Sequence, residues 1–476
     1  MRRRSRLLVA VVAALSAVTL AAGLTVARLL PGRLSLWRMP SIESVRLAGP
    51  GQVLGAASGS ARPSSAATSA GIAAALTPLL TASVFGPKLG VLVATVPAGR
   101  VLYSSNAGAG FAPASTNKLA TSIAALDVLG PAARLHTTVV TGRTPGSIVL
   151  VGGGDPTLAA GSPPASDYPQ PATLLDLALR TARALRERGQ HSVTLGFDTS
   201  LFTGPDLLPG WSGYVTSGNV SVITPLEVDQ GRVTTSGQPV DNEASGGLRA
   251  ASPAAVAAAS FARFLTTDGI TVRGTPAPVT APAGAATLAT VQSPPLAEII
   301  QWMLEESNNV IAENLSRQVA LATGHPASFS GGAAAVTSVL RRLGVTGELS
   351  LHDGSGLSPD DRIAPSVLVQ LIRLAASRPQ LRSVLTGLPV EGFSGTLGLG
   401  GSVFGLGPPV GFGVVRAKTG NLTTVAALAG TAYARNGELF AFAIMADQIP
   451  TAPGALTGAA TQMVDVAGAL AGCGCR

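Results

Sequence analysis

The chain opens on an apolar block. Residues 7–27 are almost uninterruptedly hydrophobic and follow Arg2, Arg3, Arg4 and Arg6. That length suits a membrane-spanning helix of about 20 residues, and the arginines predict a cytoplasmic N-terminus. A cleaved signal peptide is the competing expectation for residues 1–30. Either way, the remainder is expected outside the cytoplasm. No cysteine follows the apolar run, which argues against a lipoprotein anchor. Residues 31–72 hold Pro, Gly, Ser and Ala without clear period, and we read 31–74 as a flexible linker.

Regular patterning begins at residues 89–96 (LGVLVATV), a strand. Pro97-Ala98-Gly99 turns the chain into a second extended piece, 100–103, giving a hairpin. After Pro113-Ala114, Leu119, Ile123, Leu126 and Leu129 recur at helical spacing. From 141 to 290 the texture changes. Short β-like runs (147–151, 193–197) alternate with Pro and Gly, and one helix falls near 174–188. We read 141–290 as an insertion of small β-rich domains. Two helices then span 296–322, interrupted at Ser307-Asn308-Asn309. Near the end, apolar strands 422–434 and 438–446 flank Arg435-Asn436-Gly437, an Asn-Gly hairpin. A helix-rich middle and strand-rich ends predict an α+β fold. Its antiparallel sheet draws on both ends of the chain, with one domain formed by 75–140 and 291–472.

Composition changes this picture in three places. The 476 residues exceed one core, and 46% hydrophobic content is enough to pack more than one. The net charge of +8 is concentrated at the start of the chain. No basic stripe with interleaved aromatics appears, so nucleic acid is not an expected partner. Of the 33 basic residues only three are lysines: Lys88, Lys118 and Lys418. Arginine does not deprotonate in proteins whereas lysine can be tuned toward neutrality, so a retained lysine draws attention. The four histidines are scattered, which disfavours a zinc site or a Ser-His-Asp triad; no cofactor is expected. Cys473 and Cys475 stand at the C-terminus, and their pairing is open.

Three short motifs occur in order: Ser115-Thr116-Asn117-Lys118, Ser307-Asn308-Asn309 and Lys418-Thr419-Gly420. Each has an ordinary reading: an N-cap with a solvated lysine, a polar helix-connecting turn, and a strand ending at a glycine. Together they match the S-x-x-K, S-x-N, K-T-G set of penicillin-binding proteins and serine β-lactamases. Residues three apart on a helix share a face, so Lys118 can reach the Ser115 hydroxyl and take its proton once its pKa is lowered from about 10.4 by burial or by a second cation. Lys418 is a candidate for the second cation that lowers it. Asn309 is placed to hold a substrate amide and orient Lys118, and Ser307 to relay a proton to the leaving amine. Thr419 with Lys418 is suited to a terminal carboxylate. The backbone of Gly420 and Asn421 lies on an edge strand that can pair with substrate, where the Asn421 and Ser115 N–H groups can form an oxyanion hole.

With these motifs, residues 75–470 resemble the D-alanyl-D-alanine carboxypeptidase/endopeptidase family, the class C low-molecular-mass penicillin-binding proteins or S13 peptidases. Further carriers of the resemblance are VLVGGGDPTL (149–158), FDTSLF (197–202), PGW (209–211), HDGSGLS (352–358) and EGFSGTL (391–397). The 192 residues from Ser115 to Ser307, against 111 from there to Lys418, fit the long insertion of that family. The resemblance implies a transpeptidase-like domain, peptidoglycan stem peptides as substrate, an acyl-enzyme on Ser115, and β-lactam antibiotics as acylating mimics. The sequence departs from the family at Asn308, often Asp there, and at Asn421, usually a small hydroxyl residue. Pro359 replaces an arginine, with Arg362 three residues on, and Val215 and Thr216 stand where an acidic residue is expected. Those charged positions recognise the third residue of the stem peptide. A serine β-lactamase and a non-catalytic cell-wall-binding scaffold are the alternative functions.

Overall fold

The computed structural model describes residues 66–239, 247–399 and 403–475. The apolar run and residues 31–65 of the linker lie outside them. The linker reading fails at its C-terminal end. Helix α1 (Ser69–Leu80) starts where the Thr68 hydroxyl accepts from Gly71 N at 3.0 Å. Its Ile72, Leu76 and Leu80 share a buried face. The i, i+4, i+8 spacing decides the matter over the small-residue composition.

The hairpin β1 (Lys88–Thr95) and β2 (Val101–Ser105) follows, then α2 (Lys118–Leu129). A second sheet comes next, from β3 (His136–Thr141), β4 (Ser147–Val151) and β5 (Ser192–Asp198), with α3 (Leu174–Glu187) between the last two. The two-residue ribbon β6 (Arg232–Val233) and β7 (Leu248–Arg249) precedes α4 (Pro253–Thr267), β8 (Thr271–Pro278) and β9 (Thr287–Gln292). Helices α5 (Leu296–Glu305), α6 (Asn309–Ala322) and α7 (Phe329–Arg342) lead to the ribbon β10 (Leu349–Ser350) and β11 (Arg362–Ile363), then α8 (Pro365–Ser377). Strands β12 (Val415–Leu422), β13 (Val425–Tyr433) and β14 (Leu439–Asp447) and helix α9 (Ala455–Gly472) complete the chain.

Strands from both ends form one antiparallel sheet, in the order β12-β13-β14-β1-β2. Its central strands are buried on both faces, which explains their unbroken apolar sequence. Val91 and Val93 of β1 join Phe440, Phe442 and Ile444 of β14 under α1 and α9. Leu92, Ala94, Ala441, Ala443 and Met445 point the other way, onto α2, α5, α6 and α8. The Asn-Gly hairpin is present, but Leu422 ends β12 rather than opening β13.

The inserted sheet runs β8-β5-β4-β3-β9, from His136 to Gln292, slightly wider than the expected 141–290. It is less purely β than its sequence suggests. β5 is parallel to both β4 and β8, and parallel neighbours need crossovers. Helices α3 and α4 supply them, burying Leu177, Leu185, Phe261 and Leu265 against the sheet. The region is fastened to α6, where Gln318 Nε2 donates to Gly153 O at 2.8 Å and Asn314 Nδ2 to Glu227 Oε1 at 3.0 Å. Cys473 and Cys475 follow α9, their Cα atoms 5.0 Å apart.

Candidate active site

Ser115 does not cap a helix. It lies in a 3-10 turn, Ala114–Asn117, immediately before α2. The turn is entered through Ala114 at φ 46°, a left-handed conformation unusual for a residue with a Cβ. Gly356 presses on it: a Cβ there would fall 1.8 Å from the Ala114 carbonyl oxygen. Only glycine permits that approach.

Lys118 is fully buried, so it is no surface lysine. Its Nζ donates to Ser115 Oγ at 2.7 Å, Asn309 Oδ1 at 2.6 Å and the Ser355 carbonyl at 2.9 Å. Burial lowers its pKa to about 7, against the opposing charges of Asp353 and Glu313. Of the two expected causes, burial acts; Lys418, the candidate second cation, is not among the groups that lower it. Lys418 is itself held well below the ordinary lysine value, by burial first and then by the charge of Lys118. Its Nζ donates to the Thr419 carbonyl at 2.9 Å.

The floor of this arrangement is the DGSGLS loop, noted in the sequence only as part of a resemblance. Asp353 Oδ1 accepts from Ser355 N (3.1 Å) and Gly356 N (2.6 Å), and Oδ2 from Ser358 N (2.6 Å). The carboxylate thus folds the loop around itself and presents the Ser355 carbonyl to Lys118. Asn117 Nδ2 reaches both Asp353 Oδ1 and Asp361 Oδ2 at 3.3 Å. Glu313 receives Gly354 N on both oxygens at 3.1 Å. Burial and the Asp353 charge push the Glu313 carboxyl up to about 8 and the Asp361 carboxyl up to about 10. Acidic residues scattered over 49 positions (313, 353, 361) carry no local sequence signal.

Ser307 has φ 59° at the break between α5 and α6 and lines the cavity. Asn308 caps α6, accepting from Ile311 N at 3.0 Å, a role asparagine fills as well as the family's aspartate. Its Nδ2 donates to Gln230 Oε1 at 2.6 Å. Asn309 accepts from Lys118 and donates from Nδ2 to Asn219 O at 2.9 Å.

Lys418-Thr419-Gly420 does not end β12; the strand continues to Leu422. A Cβ on Gly420 would come within 2.7 Å of Pro113 O and 3.0 Å of Ser115 N, so glycine lets this strand lie against the nucleophile turn. The outer edge of β12 is partly covered: Glu391 N donates to Val415 O and Ala417 N to Pro389 O. Beyond it, Thr419, Asn421 and Leu422 face the cavity, and Thr419 Oγ1 lies 2.7 Å from Thr396 Oγ1.

The cavity holds about 440 Å³ and brings Ser115, Ser307, Asn309, Thr419 and Asn421 together. Sequence reading missed the part of the lining that the inserted region supplies: Tyr214, Asn219, Arg232 and Arg249. At the family's acidic position, Val215 and Thr216 sit in a short helix, Ser212–Thr216, whose Tyr214 reaches the cavity. Arg362 is turned to the Pro359 and Asp361 carbonyls, both at 2.7 Å.

A buried lysine on a serine hydroxyl, an asparagine bridge and a K-T-G edge strand define an active-site-serine penicillin-recognising fold. Within that class, the model of the D-Ala-D-Ala carboxypeptidase 3 (S13) family matches residues 73–247 and 239–470. A carboxypeptidase of Mycobacterium tuberculosis is 36% identical over 408 residues, covering 82% of this chain and 84% of that protein. A D-alanyl-D-alanine carboxypeptidase of an Actinomadura strain is 29% identical over 432 residues, covering 76% and 78%. In structure, penicillin binding protein 4 of Haemophilus influenzae aligns with a TM-score of 0.65 at 23% identity, over 82% of this chain and 99% of that one. The chain belongs to the S13 family and is a serine-type D-Ala-D-Ala carboxypeptidase.

Proposed function

We propose that the chain hydrolyses the terminal D-Ala-D-Ala bond of peptidoglycan stem peptides through an acyl-enzyme on Ser115. The observation that carries this is Lys118 Nζ, desolvated and 2.7 Å from Ser115 Oγ. Neutral Lys118 takes the hydroxyl proton as Oγ attacks the penultimate D-Ala carbonyl carbon. The oxyanion forms against the Ser115 and Asn421 N–H groups. The C–N bond breaks as the leaving nitrogen gains a proton by way of Ser307, and D-Ala departs. Water then attacks the ester, gives its proton to Lys118, and restores the serine. Asn309 holds the substrate amide, while Lys418 and Thr419 hold the terminal carboxylate. The edge of β12 beyond Lys418 pairs with the extended peptide.

A β-lactam amide meets the same groups, so penicillins acylate Ser115. The residues at 75–140 and 291–472 act as the transpeptidase-like domain and 141–290 as its insertion. Among the described residues no helix is long and apolar enough to cross a membrane. Residues 7–27 form the anchor or signal that puts the enzyme outside the cytoplasm, where stem peptides are. Incubation with labelled benzylpenicillin tests the scheme. A persistent adduct lost in Ser115→Ala, with D-Ala released from a stem pentapeptide, is expected. Rapid turnover of the label indicates a β-lactamase, and no adduct with no D-Ala indicates a scaffold; either result overturns it.

A further inference from the structure

Of the three lysines in the chain, Lys118 and Lys418 belong to the site, and Lys88 lies outside it. Lys88 opens β1 directly opposite Asp447, the last residue of β14. Its Nζ donates to Asp447 Oδ2 at 2.9 Å. Opposite charges at directly paired positions attract across a sheet. The same Nζ lies 4.8 Å from the centre of the Phe111 ring, within reach of a cation–π contact. Phe111 is buried, four residues before Ser115. A Cβ on Gly90 would meet that ring at 2.5 Å, so glycine lets the ring lie on β1.

Asp447 reaches the same segment. Its Oδ2 also accepts from Ala112 N, at 3.5 Å. Phe111 in turn exchanges backbone hydrogen bonds with Ile363 of β11: Phe111 N donates at 3.1 Å and Phe111 O accepts at 2.9 Å. Two positions before Ile363 stands Asp361, whose carboxyl accepts from Asn117 Nδ2. The chain at 111–112 is therefore tied both to the end of the central sheet and to the strand that follows the DGSGLS loop.

The tie matters because of the turn that comes next. Ala114 has φ 46°. Such a conformation costs energy and persists only where its surroundings over-determine it. On its C-terminal side, Thr116 N and Oγ1 both donate to Pro113 O, at 3.2 and 2.7 Å, and Gly356 and Gly420 pack against the turn. On its N-terminal side stand the Ile363 pairing and the Lys88–Asp447 pair. We propose that Lys88 and Asp447 are positioning residues, which act as a unit through Phe111 and Ala112 to fix the entry to the Ala114 turn and hence the placement of Ser115. The inference rests on the acyl-enzyme reading of Ser115. Neither residue lines the cavity, so the effect falls on the bond-forming step rather than on affinity. Small displacements of a reacting atom are costly in rate.

The test follows acylation by labelled benzylpenicillin in stopped flow, reading the saturating rate and the half-saturating concentration, with urea midpoints measured alongside. Full-length wild type is compared with Lys88→Met, Lys88→Arg, Asp447→Asn and the Lys88→Met/Asp447→Asn double variant. Each of Lys88→Met and Asp447→Asn lowers the saturating rate by about 3- to 30-fold and leaves half-saturation within about twofold of wild type. The double variant is about as slow as the slower single one, because the two residues act as a unit. Lys88→Arg keeps a cation over the ring and beside the carboxylate, and it recovers most of the rate. Saturating rates within about twofold of wild type in both single variants overturn the proposal whatever the urea midpoints do, since a pair that merely braced the sheet would move only those. A loss confined to half-saturation overturns it too, as do losses that multiply in the double variant or a Lys88→Arg as slow as Lys88→Met. Should Asp447→Asn fail to fold, the two Lys88 variants decide. If wild type itself forms no adduct, the acyl-enzyme reading has failed and the positioning role with it.

Discussion

The two walls of the cavity differ in how they are held. On one, Gly420 lets β12 lie against the Ser115 turn, where a Cβ would come 3.0 Å from Ser115 N, and Gly356 packs against the Ala114 carbonyl. That wall is backbone against backbone, and it carries Ser115. On the other, Asn219, Gln230, Arg232 and Arg249 are joined to Asn308 and Asn309 through side-chain hydrogen bonds. The Ser115 wall is thus held by close backbone approach, and the other by hydrogen bonds from side chains.

Substitutions probe this division, and those on the backbone-held side are expected to matter most. Ser115→Ala lowers D-Ala release by about 10^4-fold or more and abolishes penicillin labelling; retained labelling places the nucleophile elsewhere. Lys118→Arg keeps a cation that cannot deprotonate, and acylation falls about 10^2- to 10^4-fold in single-turnover kinetics. The same base sets the pH dependence. Lys118 must be neutral to take the proton, so kcat/KM falls as pH drops below about 7 and levels off above it. A profile flat from pH 5 to 9 removes Lys118 from the role.

Asn309→Ala severs the contact between the walls. Losing the 2.6 Å acceptor of Lys118 costs acylation about 10- to 100-fold, and a smaller loss in stopped-flow labelling means the walls are less coupled than described. Smallest is Thr173→Ala. It removes the cap of α3, whose Thr173 Oγ1 accepts from Asp176 N at 3.0 Å, far along the insertion. It lowers stability by about 1 kcal/mol. The urea midpoint shifts while penicillin acylation stays as in wild type; a matching loss of acylation shows the insertion reaching the chemistry.

The same contrast explains what was legible in the sequence. Each wall announced a part through a local pattern: a serine three before a lysine and a glycine in a strand on one, a polar break between helices on the other. The continuous apolar runs of β13 and β14 likewise declared strands buried on both faces. What the insertion adds to the second wall had no such signal. Arg232 and Arg249 are 17 positions apart and meet only through a two-residue ribbon, too short for alternation to reveal. The buried acids beneath Lys118 escaped notice for the same reason, since Glu313 and Asp353 are joined by loop folding rather than spacing. The sign of the Lys118 shift was anticipated, and of the two causes open from sequence, burial or a second cation, it is burial that acts.

The central sheet sets a timetable. Strand β14 lies between β13 and β1, and its pairing with β1 matches Lys88 to Asp447, 359 positions away. Ser115 emerges early in synthesis, yet the strand that shelters it joins the sheet only through β13 and β14. Closing a loop of that span is entropically demanding and slows the search for the native topology. The serine hydroxyl is therefore an ordinary alcohol for most of the life of the growing chain. The strand edge beside it is in place only when the last strands dock.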